Sequence, residues 1–416
     1  MVEMEDDDSI YEDSMYEDSM YEESMDDTPM RDTPLGWAAG KGHEAVVEML
    51  LGRTDIDPDK PGEDGLTPLG RAAKNGYEGA VKILLGRDDI NPNQPDPDGL
   101  TPLWWAAAYG HEGTVEALLC RDDIDPDKPG GGGQTPLCCA VAAGQSGVVK
   151  ILLGRDDINP NALDGTGQTP LTLAACFGNE RMVEILLGRD DINPDQPEKT
   201  GVTPLGCAAC EGHELVVKML LERDDVDPNK PDRDGQTPLW LAARYGRKGV
   251  VKILLRRDDV NPDQPDKTGI TPLGCAACKG HEAVVEMLLG QADVDPDKPG
   301  EDGQTPLGRA AKNGYEGAVK MLLGRDDLNP DKPDNGGRTP LWWAACNGYE
   351  GLVKMLLGRD GVDPNKSDTT EYRRTPLGIA ACNRHRGVMA LLQPRTSAGY
   401  NSISPRRLRP RPQRPH

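Results

Sequence analysis

Aromatic residues are scarce in this sequence: they make up 4% of its 416 residues, and only one of them is phenylalanine. A chain of this length would ordinarily form two or three globular domains. The core of each would be filled partly by large aromatic side chains. The scarcity therefore argues against large compact domains. It favours thin helical layers whose core consists of leucine, valine and alanine.

Long apolar runs are also missing, since no segment approaches the roughly 18 residues of a membrane span. The N-terminal stretch is acidic and shows no basic segment followed by an apolar one, so we expect no secretory signal. The ten cysteines do not follow the spacing of a secreted disulfide framework. These absences predict an intracellular protein, cytoplasmic or nuclear, without a membrane partner.

The N-terminal segment lacks basic residues, and the C-terminal segment lacks acidic residues. Residues 1–30 hold 13 acidic residues and no basic ones, whereas residues 394–416 hold six arginines and no acid. Removing these charges from the total of −23 leaves −16 for the part between, which argues against nucleic-acid binding there. We expect both ends to be disordered. The acidic end is either a solubilising tail or a phosphorylation site for acidophilic kinases at Ser9, Ser14, Ser19 and Ser24.

Between these ends, Thr-Pro-Leu recurs eleven times, with an interval of 34 residues nine times and then 36. A fixed period of this size is typical of a solenoid, in which each unit contacts only its neighbours. We predict an all-α repeat solenoid over residues 31–393, with about eleven units. The units begin near Thr33, Thr67, Thr101, Thr135, Thr169, Thr203, Thr237, Thr271, Thr305, Thr339 and Thr375.

Each unit reads as two short antiparallel helices and a protruding turn or β-hairpin. With the threonine as position 1, its side chain caps the first helix and proline occupies the first helical position. Glycine at position 10 favours the left-handed backbone that ends this helix. The turn segment is dense in Asp, Asn, Pro and Gly. The second helix has a buried apolar stripe at positions 14, 15, 18 and 19, as in Val46, Val47, Leu50 and Leu51.

The phrases TPLxxAAxxGH and VVxxLL, followed by Asp-Ile/Val-Asn and a glycine-containing turn, resemble the ankyrin repeat over about residues 33–393. The LLGRDD-(I/V/L)-NP phrase looks like the arrays of fungal NACHT-type immune receptors and of free-standing fungal ankyrin proteins. The resemblance implies the ankyrin fold, with a concave groove lined by the first helices. The family's usual histidine after Thr-Pro-Leu is missing from all eleven units.

Positions 5, 8 and 9 vary between units and share one face of the first helix, because they are spaced i, i+3 and i+4. In the ankyrin family this face lines the groove, and exposed aromatic residues and arginines are frequent binding hot spots. The alternative for each residue is partial burial between layers. Tryptophans at position 4 are expected to fill space between units. We predict a protein-binding surface formed by Trp37, Arg71, Trp105, Tyr109, Phe177, Leu241, Arg244, Tyr245, Arg309 and Trp343.

No constellation of residues supports catalysis, a metal site or a cofactor. The Cys-Ala-Ala-Cys pairs at Cys207 and Cys275 are two units apart, roughly 20 Å in a stack of 8–10 Å layers, and cannot form one zinc site. We interpret the cysteines as structural or free thiols, with metal binding and redox sensing left open. The position-11 histidines are expected to stabilise turns. The acidic turns lack the order of an EF-hand loop.

The sequence thus predicts a non-enzymatic, monomeric scaffold that binds a protein partner through its concave groove and turn tips. One alternative is a sensor or specificity module of a larger fungal immune-type receptor system. Another is a mainly structural spacer. The units at Thr33, Thr67 and Thr101 closely match those at Thr271, Thr305 and Thr339, which indicates a duplicated block and leaves the spacer interpretation open.

Overall fold

A computed structural model of the chain describes residues 33–396. The acidic segment 1–30, with its four candidate phosphorylation sites, lies outside the described residues, as does the basic segment after residue 396. What we predicted for these two segments therefore stays a prediction.

The described part of the chain contains 22 α-helices in eleven pairs. The first helix of each pair, here called the inner helix, is α1 (Pro34–Gly40), α3 (Pro68–Lys74), α5 (Pro102–Ala108), α7 (Pro136–Ala142), α9 (Pro170–Cys176), α11 (Pro204–Glu211), α13 (Pro238–Arg244), α15 (Pro272–Lys279), α17 (Pro306–Asn313), α19 (Pro340–Asn347) and α21 (Pro376–Cys382). The second, the outer helix, is α2 (Glu44–Leu51), α4 (Glu78–Leu85), α6 (Glu112–Leu119), α8 (Ser146–Leu153), α10 (Glu180–Leu187), α12 (Glu214–Leu221), α14 (Lys248–Leu254), α16 (Glu282–Leu289), α18 (Glu316–Leu323), α20 (Glu350–Leu357) and α22 (Arg386–Thr396). Inner helices pack on inner helices of neighbouring units, and outer on outer. This confirms the predicted helical solenoid.

Thr101 shows why each inner helix begins where it does. Its hydroxyl accepts a hydrogen bond from the backbone N–H of Trp104, at 3.1 Å. Pro102 then occupies the first helical position, where its missing N–H costs no hydrogen bond. All eleven inner helices share this cap and this proline, as predicted.

The turn after the inner helix needs glycine. At Gly76 the φ angle is +74°, and a Cβ atom there would lie 2.6 Å from Nδ1 of His111 in the next unit. Nε2 of His111 lies 3.0 Å from the carbonyl oxygen of Lys74, at the end of the preceding inner helix. Position-11 histidines thus join neighbouring units as well as turns. The same contact is made by His213, His281 and His385.

The core runs along the whole stack as one continuous layer of small and branched apolar side chains. In the unit at Thr101, Leu103, Ala106 and Ala107 of the inner helix and Val115 and Leu118 of the outer helix are all fully buried. The alanines let neighbouring helices approach closely, so few aromatic residues are required. The core therefore agrees with the composition.

Val46 differs from the predicted buried stripe, because 42% of it is exposed. The equivalent residues Val148 and Val216 are buried. The side chain at position 14 packs towards the preceding unit. No unit precedes the one at Thr33 among the described residues. The stripe is therefore complete only inside the stack.

The arginine of the LLGRDD phrase, and the arginines at the same position in units that vary the glycine, join neighbouring outer helices. Nε and Nη2 of Arg121 donate to Asp123, at 2.8 and 2.7 Å. Nη1 donates to the carbonyl of Leu85, at 3.1 Å. Leu85 ends α4, and the last carbonyls of a helix have no partner within it. The same tie to a preceding leucine carbonyl is made by Arg87, Arg155, Arg189, Arg223, Arg257 and Arg325.

The segments that join the units protrude as turns, as predicted, but no β-strand is assigned within residues 33–396. Adjacent turns are joined by isolated backbone hydrogen bonds, such as that from the N–H of Arg233 to the carbonyl of Thr200, at 3.0 Å. Proline and glycine interrupt any longer ladder. The expectation of a β-hairpin was therefore too strong.

Position 27, in these turns, is occupied by either asparagine or aspartate. The Asn93 Oδ1 accepts from the N–H of Asp125 at 2.8 Å, and its Nδ2 donates to the carbonyl of Asp123 at 2.7 Å. The Asp127 Oδ2 likewise accepts from the N–H of Asn159, at 2.8 Å, but its buried Oδ1 has no hydrogen-bond partner. The same unpartnered oxygen occurs at Asp59, Asp195, Asp263, Asp297 and Asp331.

The last unit departs from the others in two ways. Arg384 replaces the turn glycine and takes a left-handed φ of 64°. Helix α22 continues through Pro394 to Thr396, three residues beyond the end at 393 that we set for the array.

Candidate binding groove

Three aromatic side chains at position 9 form an exposed row along the inner helices. Tyr109, Phe177 and Tyr245 are 53%, 60% and 40% exposed. Each is the residue that directly follows the last residue of its inner helix, in every second unit. Helix ends point these side chains away from the core, so large apolar groups face solvent on one side of the solenoid.

Trp105, at position 5, is half-buried and held in place by its neighbours. Its Nε1 donates to Oδ2 of Asp96 at 3.0 Å, and its ring stacks on Tyr109 with centroids 5.9 Å apart. The ammonium of Lys74 lies 4.1 Å from the ring centroid, a favourable cation–π distance. Trp105 therefore joins the preceding turn to its inner helix and supports the ring of Tyr109.

Trp343 makes the equivalent bond, from Nε1 to Oδ2 of Asp334, at 3.1 Å. It also lies beneath the ammonium of Lys312, 4.9 Å from the ring centroid. Both tryptophans bond a carboxylate that lies nine residues earlier in the chain. A side chain at position 5 can therefore secure the turn that precedes its helix.

The arginines at position 5 do the same at a different spacing. Arg71 bonds Asp64 at 2.5 Å, and Arg309 bonds Asp302 at 2.7 Å, in each case seven residues earlier. Only 8% of Arg71 is exposed. These guanidinium groups are used within the chain, which the sequence interpretation did not foresee.

Leu241 also differs from its predicted place on an open surface, since only 7% of it is exposed. It packs in a small apolar cluster with Val202, Cys207, Trp240 and Cys275. In the described structure Leu241 forms the floor of the groove and does not project from it. Trp37, by contrast, is largely exposed and lies against the ring of His43.

Tryptophans at position 4 behave as fillers between units, as we expected. Trp240 and Trp342 are buried, and their Nε1 atoms donate to the carbonyls of Ile270 and Arg374, at 2.9 and 3.0 Å. Trp104 is half-buried, and no hydrogen bond is found for its Nε1. Filling space is therefore compatible with some exposure at this position.

A pocket of about 520 Å³ lies between the units at Thr203 and Thr237, with Leu241 among its lining residues. It brings together three of the predicted residues, Leu241, Arg244 and Tyr245. The other predicted residues lie elsewhere along the groove. Its walls also include side chains that the sequence interpretation did not select: Cys176, Cys207, Cys210, Glu211, Asp232 and Arg247.

Two of the thiols that line the pocket, Cys207 and Cys210, are poor nucleophiles. Burial raises the pKa of Cys210 to about 12. A hydrogen bond with the Cys176 thiol, together with burial, raises the pKa of Cys207 well above its ordinary value. Cys207 and Cys210 therefore stay protonated at neutral pH.

The charged groups of the pocket are of both signs. Nε of Arg247 donates to the carbonyl of Cys210 at 2.6 Å, and its Nη2 lies 3.8 Å from Glu211. The guanidinium of Arg244 lies 5.6 Å from the ring centroid of Tyr245. Burial, followed by the like charges of Asp234 and Asp266, raises the pKa of Asp232. The carboxylate of Asp232 would therefore gain from a cation.

Within residues 33–396 no group of three or more His, Cys, Asp or Glu side chains is arranged to hold a metal ion. All ten cysteines lie in this range and are free thiols. None of the described helices combines the length and apolar character that crossing a bilayer requires.

The family model described as Ankyrin repeats (3 copies) matches residues 16–96, 89–164, 157–232, 225–299 and 291–368. No curated protein matches the chain. The crystal structure of the ankyrin repeat domain of Bcl-3, titled as a unique member of the IkappaB protein family, is similar with 26% identity and a TM-score of 0.50. That match covers 54% of this chain and 99% of that one.

These comparisons agree with the helix pairs, the caps and the turns described above. They give no support to the narrower likeness to fungal NACHT-type arrays. Because the family model matches well over half of the sequence, the chain belongs to the ankyrin repeat family.

Proposed function

We propose that this protein is a non-enzymatic scaffold that binds a protein partner through its concave groove and turn tips. The row formed by Tyr109, Phe177 and Tyr245 is the observation that carries the proposal. Ankyrin repeats are generally protein-interaction modules. The proposal includes that the scaffold is monomeric and acts in the cytoplasm or nucleus. It also includes that the scaffold binds neither nucleic acid nor a membrane.

The energetics of the row support recognition. Large aromatic side chains give much contact area for little lost conformational freedom, and they dominate many interfaces. Tyr109 is already held by stacking on Trp105, so binding would cost little further ordering. A rigid stack of helices keeps the three rings at fixed spacing, which suits an extended or helical segment of a partner.

Two further proposals have less support. A sensor or specificity module of a larger fungal immune-type system rests on the LLGRDD-(I/V/L)-NP phrase alone. A mainly structural spacer is favoured by the duplicated block, because near-identical units at Thr33 and Thr271 need not discriminate between ligands.

Capture of partners by matched variants of the full chain tests the proposal. The groove variant is Tyr109→Ser with Phe177→Ser, and the control is Met49→Ser with Leu215→Ser on outer helices. All four side chains are exposed, so both variants remove similar apolar surface without opening the core. Proteins bound by the wild type should be retained by the control and lost by the groove variant, as quantified by mass spectrometry. Equal retention by the two variants would contradict recognition through the groove.

A further inference from the structure

In four units of this array, the side chain at position 5 donates a hydrogen bond to a carboxylate of the preceding turn. Tryptophan does so nine residues after the acid, as Trp105 does with Asp96. Arginine does so seven residues after the acid, as Arg71 does with Asp64. These four units show that an indole or a guanidinium group fits beside the acid of the preceding turn.

The unit at Thr237 has acids at both spacings but lacks the side chain that would meet them. Asp232 and Asp234 lie nine and seven residues before position 5, which is Leu241. Oδ1 of Asp232 accepts from the backbone N–H groups of Asp234 and Gln236, both at 2.8 Å.

The pocket lies where the missing side chain would be. Leu241 forms its floor, and Asp232 and Asp234 line its wall. In the unit at Thr101, the corresponding region also receives the ammonium of Lys74, whereas the equivalent position here is Cys210. The unit therefore has neither an indole at position 5 nor a lysine at the place of Lys74. A volume of about 520 Å³ lies within the range of small-ligand and side-chain pockets.

The charges favour a cation as the occupant. Asp232 and Asp234 both line the pocket and carry like charges, whereas Glu211 lies near Arg247. Arg244 lies against the rings of Trp240 and Tyr245. Burial together with Asp234 and Asp266 raises the pKa of Asp232, so a bound positive charge would relieve a real cost. Residues 31–393 also carry a net charge of −16, which attracts a basic segment.

We propose that the pocket above Leu241 receives an arginine side chain from the protein partner, whose guanidinium group pairs with Asp232 and Asp234. The aliphatic part of the arginine packs on Leu241 and Tyr245. A guanidinium group fits better than an ammonium group because its planar donors can meet two carboxylates at once. This inference rests on the proposed protein-binding function and adds the chemical identity of the anchoring residue.

A random dodecapeptide library displayed on phage, selected on the full-length chain, tests the inference. Enriched peptides are then synthesised and titrated by fluorescence polarisation, each beside a copy with arginine replaced by citrulline. Leu241→Trp is the key variant, because it recreates the Trp-Trp-Ala-Ala sequence of the unit at Thr101 and fills the pocket with a side chain that the fold already accommodates. Circular dichroism verifies that the variant folds.

Asp232→Asn and Asp164→Asn form a matched pair. Both acids accept from the backbone N–H four residues later and precede a leucine at position 5, but Asp164 does not line the pocket. Asparagine keeps the accepting oxygen and removes only the charge. We expect enriched peptides to contain arginine and to lose about tenfold or more in affinity on Leu241→Trp, on Asp232→Asn and on citrulline replacement. Asp164→Asn should bind as the wild type does.

Several results would overturn the inference. These are enriched peptides without arginine, peptides anchored by tryptophan, or unchanged binding to Leu241→Trp. Peptides that bind Leu241→Trp normally but fail on Tyr109→Ser with Phe177→Ser would show groove binding at another place. The proposed function would then stand and the pocket assignment would be wrong. If no peptide is enriched on the wild type, both conclusions fail.

Discussion

Replacing Asp127 by asparagine should stabilise the array. The Asp127 Oδ1 is buried without a hydrogen-bond partner, although its Oδ2 accepts from the N–H of Asn159. Asparagine at the same position in other units supplies a donor: Nδ2 of Asn161 bonds the carbonyl of Asp191 at 2.8 Å. By repeat register, the side-chain amide introduced by Asp127→Asn would bond the carbonyl of Asp157. The substitution thus adds a hydrogen bond and removes a poorly solvated charge.

The magnitude follows from these two changes. A neutral hydrogen bond contributes about 0.5–1.5 kcal/mol net, and an unsatisfied buried polar group costs about 1–3 kcal/mol. Because Asp127 is only partly buried, we expect a total gain of about 1–2 kcal/mol in the free energy of unfolding at pH 7.5. A lysine lowers the pKa of four of the six equivalent aspartates but not that of Asp127 or Asp59, and Asp127 is the one of these two that lies inside the stack.

The gain should depend on pH. Burial, followed by the like charges of Asp125 and Asp157, raises the pKa of Asp127 above its ordinary value. An acid whose pKa is raised in the folded state destabilises that state when ionised, and the cost disappears as pH falls through the folded-state pKa. The protonated acid can also donate to the same carbonyl. The advantage of asparagine should therefore be largest at neutral pH and shrink towards pH 4.

Native-state hydrogen exchange is a suitable assay, because each unit of a solenoid contacts only its neighbours and the effect stays local. The amide of Asn159 should exchange about 5–30-fold more slowly in Asp127→Asn than in the wild type at pH 7.5. The reciprocal change, Asn161→Asp, should speed the exchange of the Asn193 amide, which donates to Asn161 Oδ1. Unchanged protection, or an equal gain at pH 7.5 and pH 4, would refute the role given to the charge.

Two other predictions concern the last unit and the thiols. Arg384→Gly should stabilise α21 and α22 by about 1 kcal/mol, because a left-handed non-glycine residue costs roughly 1–2 kcal/mol; unaltered exchange protection in α22 would contradict this. Iodoacetamide should label the exposed Cys120 and Cys382 rapidly, whereas Cys138, with its pKa raised by burial to about 11, and Cys139 and Cys275, with theirs raised to about 12, should stay protected. Uniform labelling by mass spectrometry would show that these thiols are not shielded.

The repeat unit was predictable because its signals are local. A threonine cap, the proline after it and a left-handed glycine act through their own backbone, so Thr101, Pro102 and Gly110 could be interpreted in isolation. The fixed 34-residue interval between these motifs then implied that the units stack on one another. The ankyrin assignment and the number of units follow from these residues together.

The roles of the groove residues could not be predicted in the same way. Whether Trp105 is free or bonded depends on Asp96, which lies nine residues away across a turn of unknown geometry. Leu241 is buried because Val202 and Cys275 of neighbouring units close over it. One signal was present in the sequence: Trp105 and Trp343 follow an acid by nine residues, and Arg71 and Arg309 follow one by seven.

The arginine tie between outer helices also bears on how the molecule responds to a pulling force. At the position equivalent to Arg121, the unit at Thr271 has Gln291, whose Nε2 donates to the carbonyl of Met287 in its own helix at 3.4 Å. The junction with the preceding unit therefore lacks this tie, and the duplicated block begins at the same junction. Under tension from its two ends, we expect this junction, which divides seven units from four, to resist separation less than a junction that has the tie.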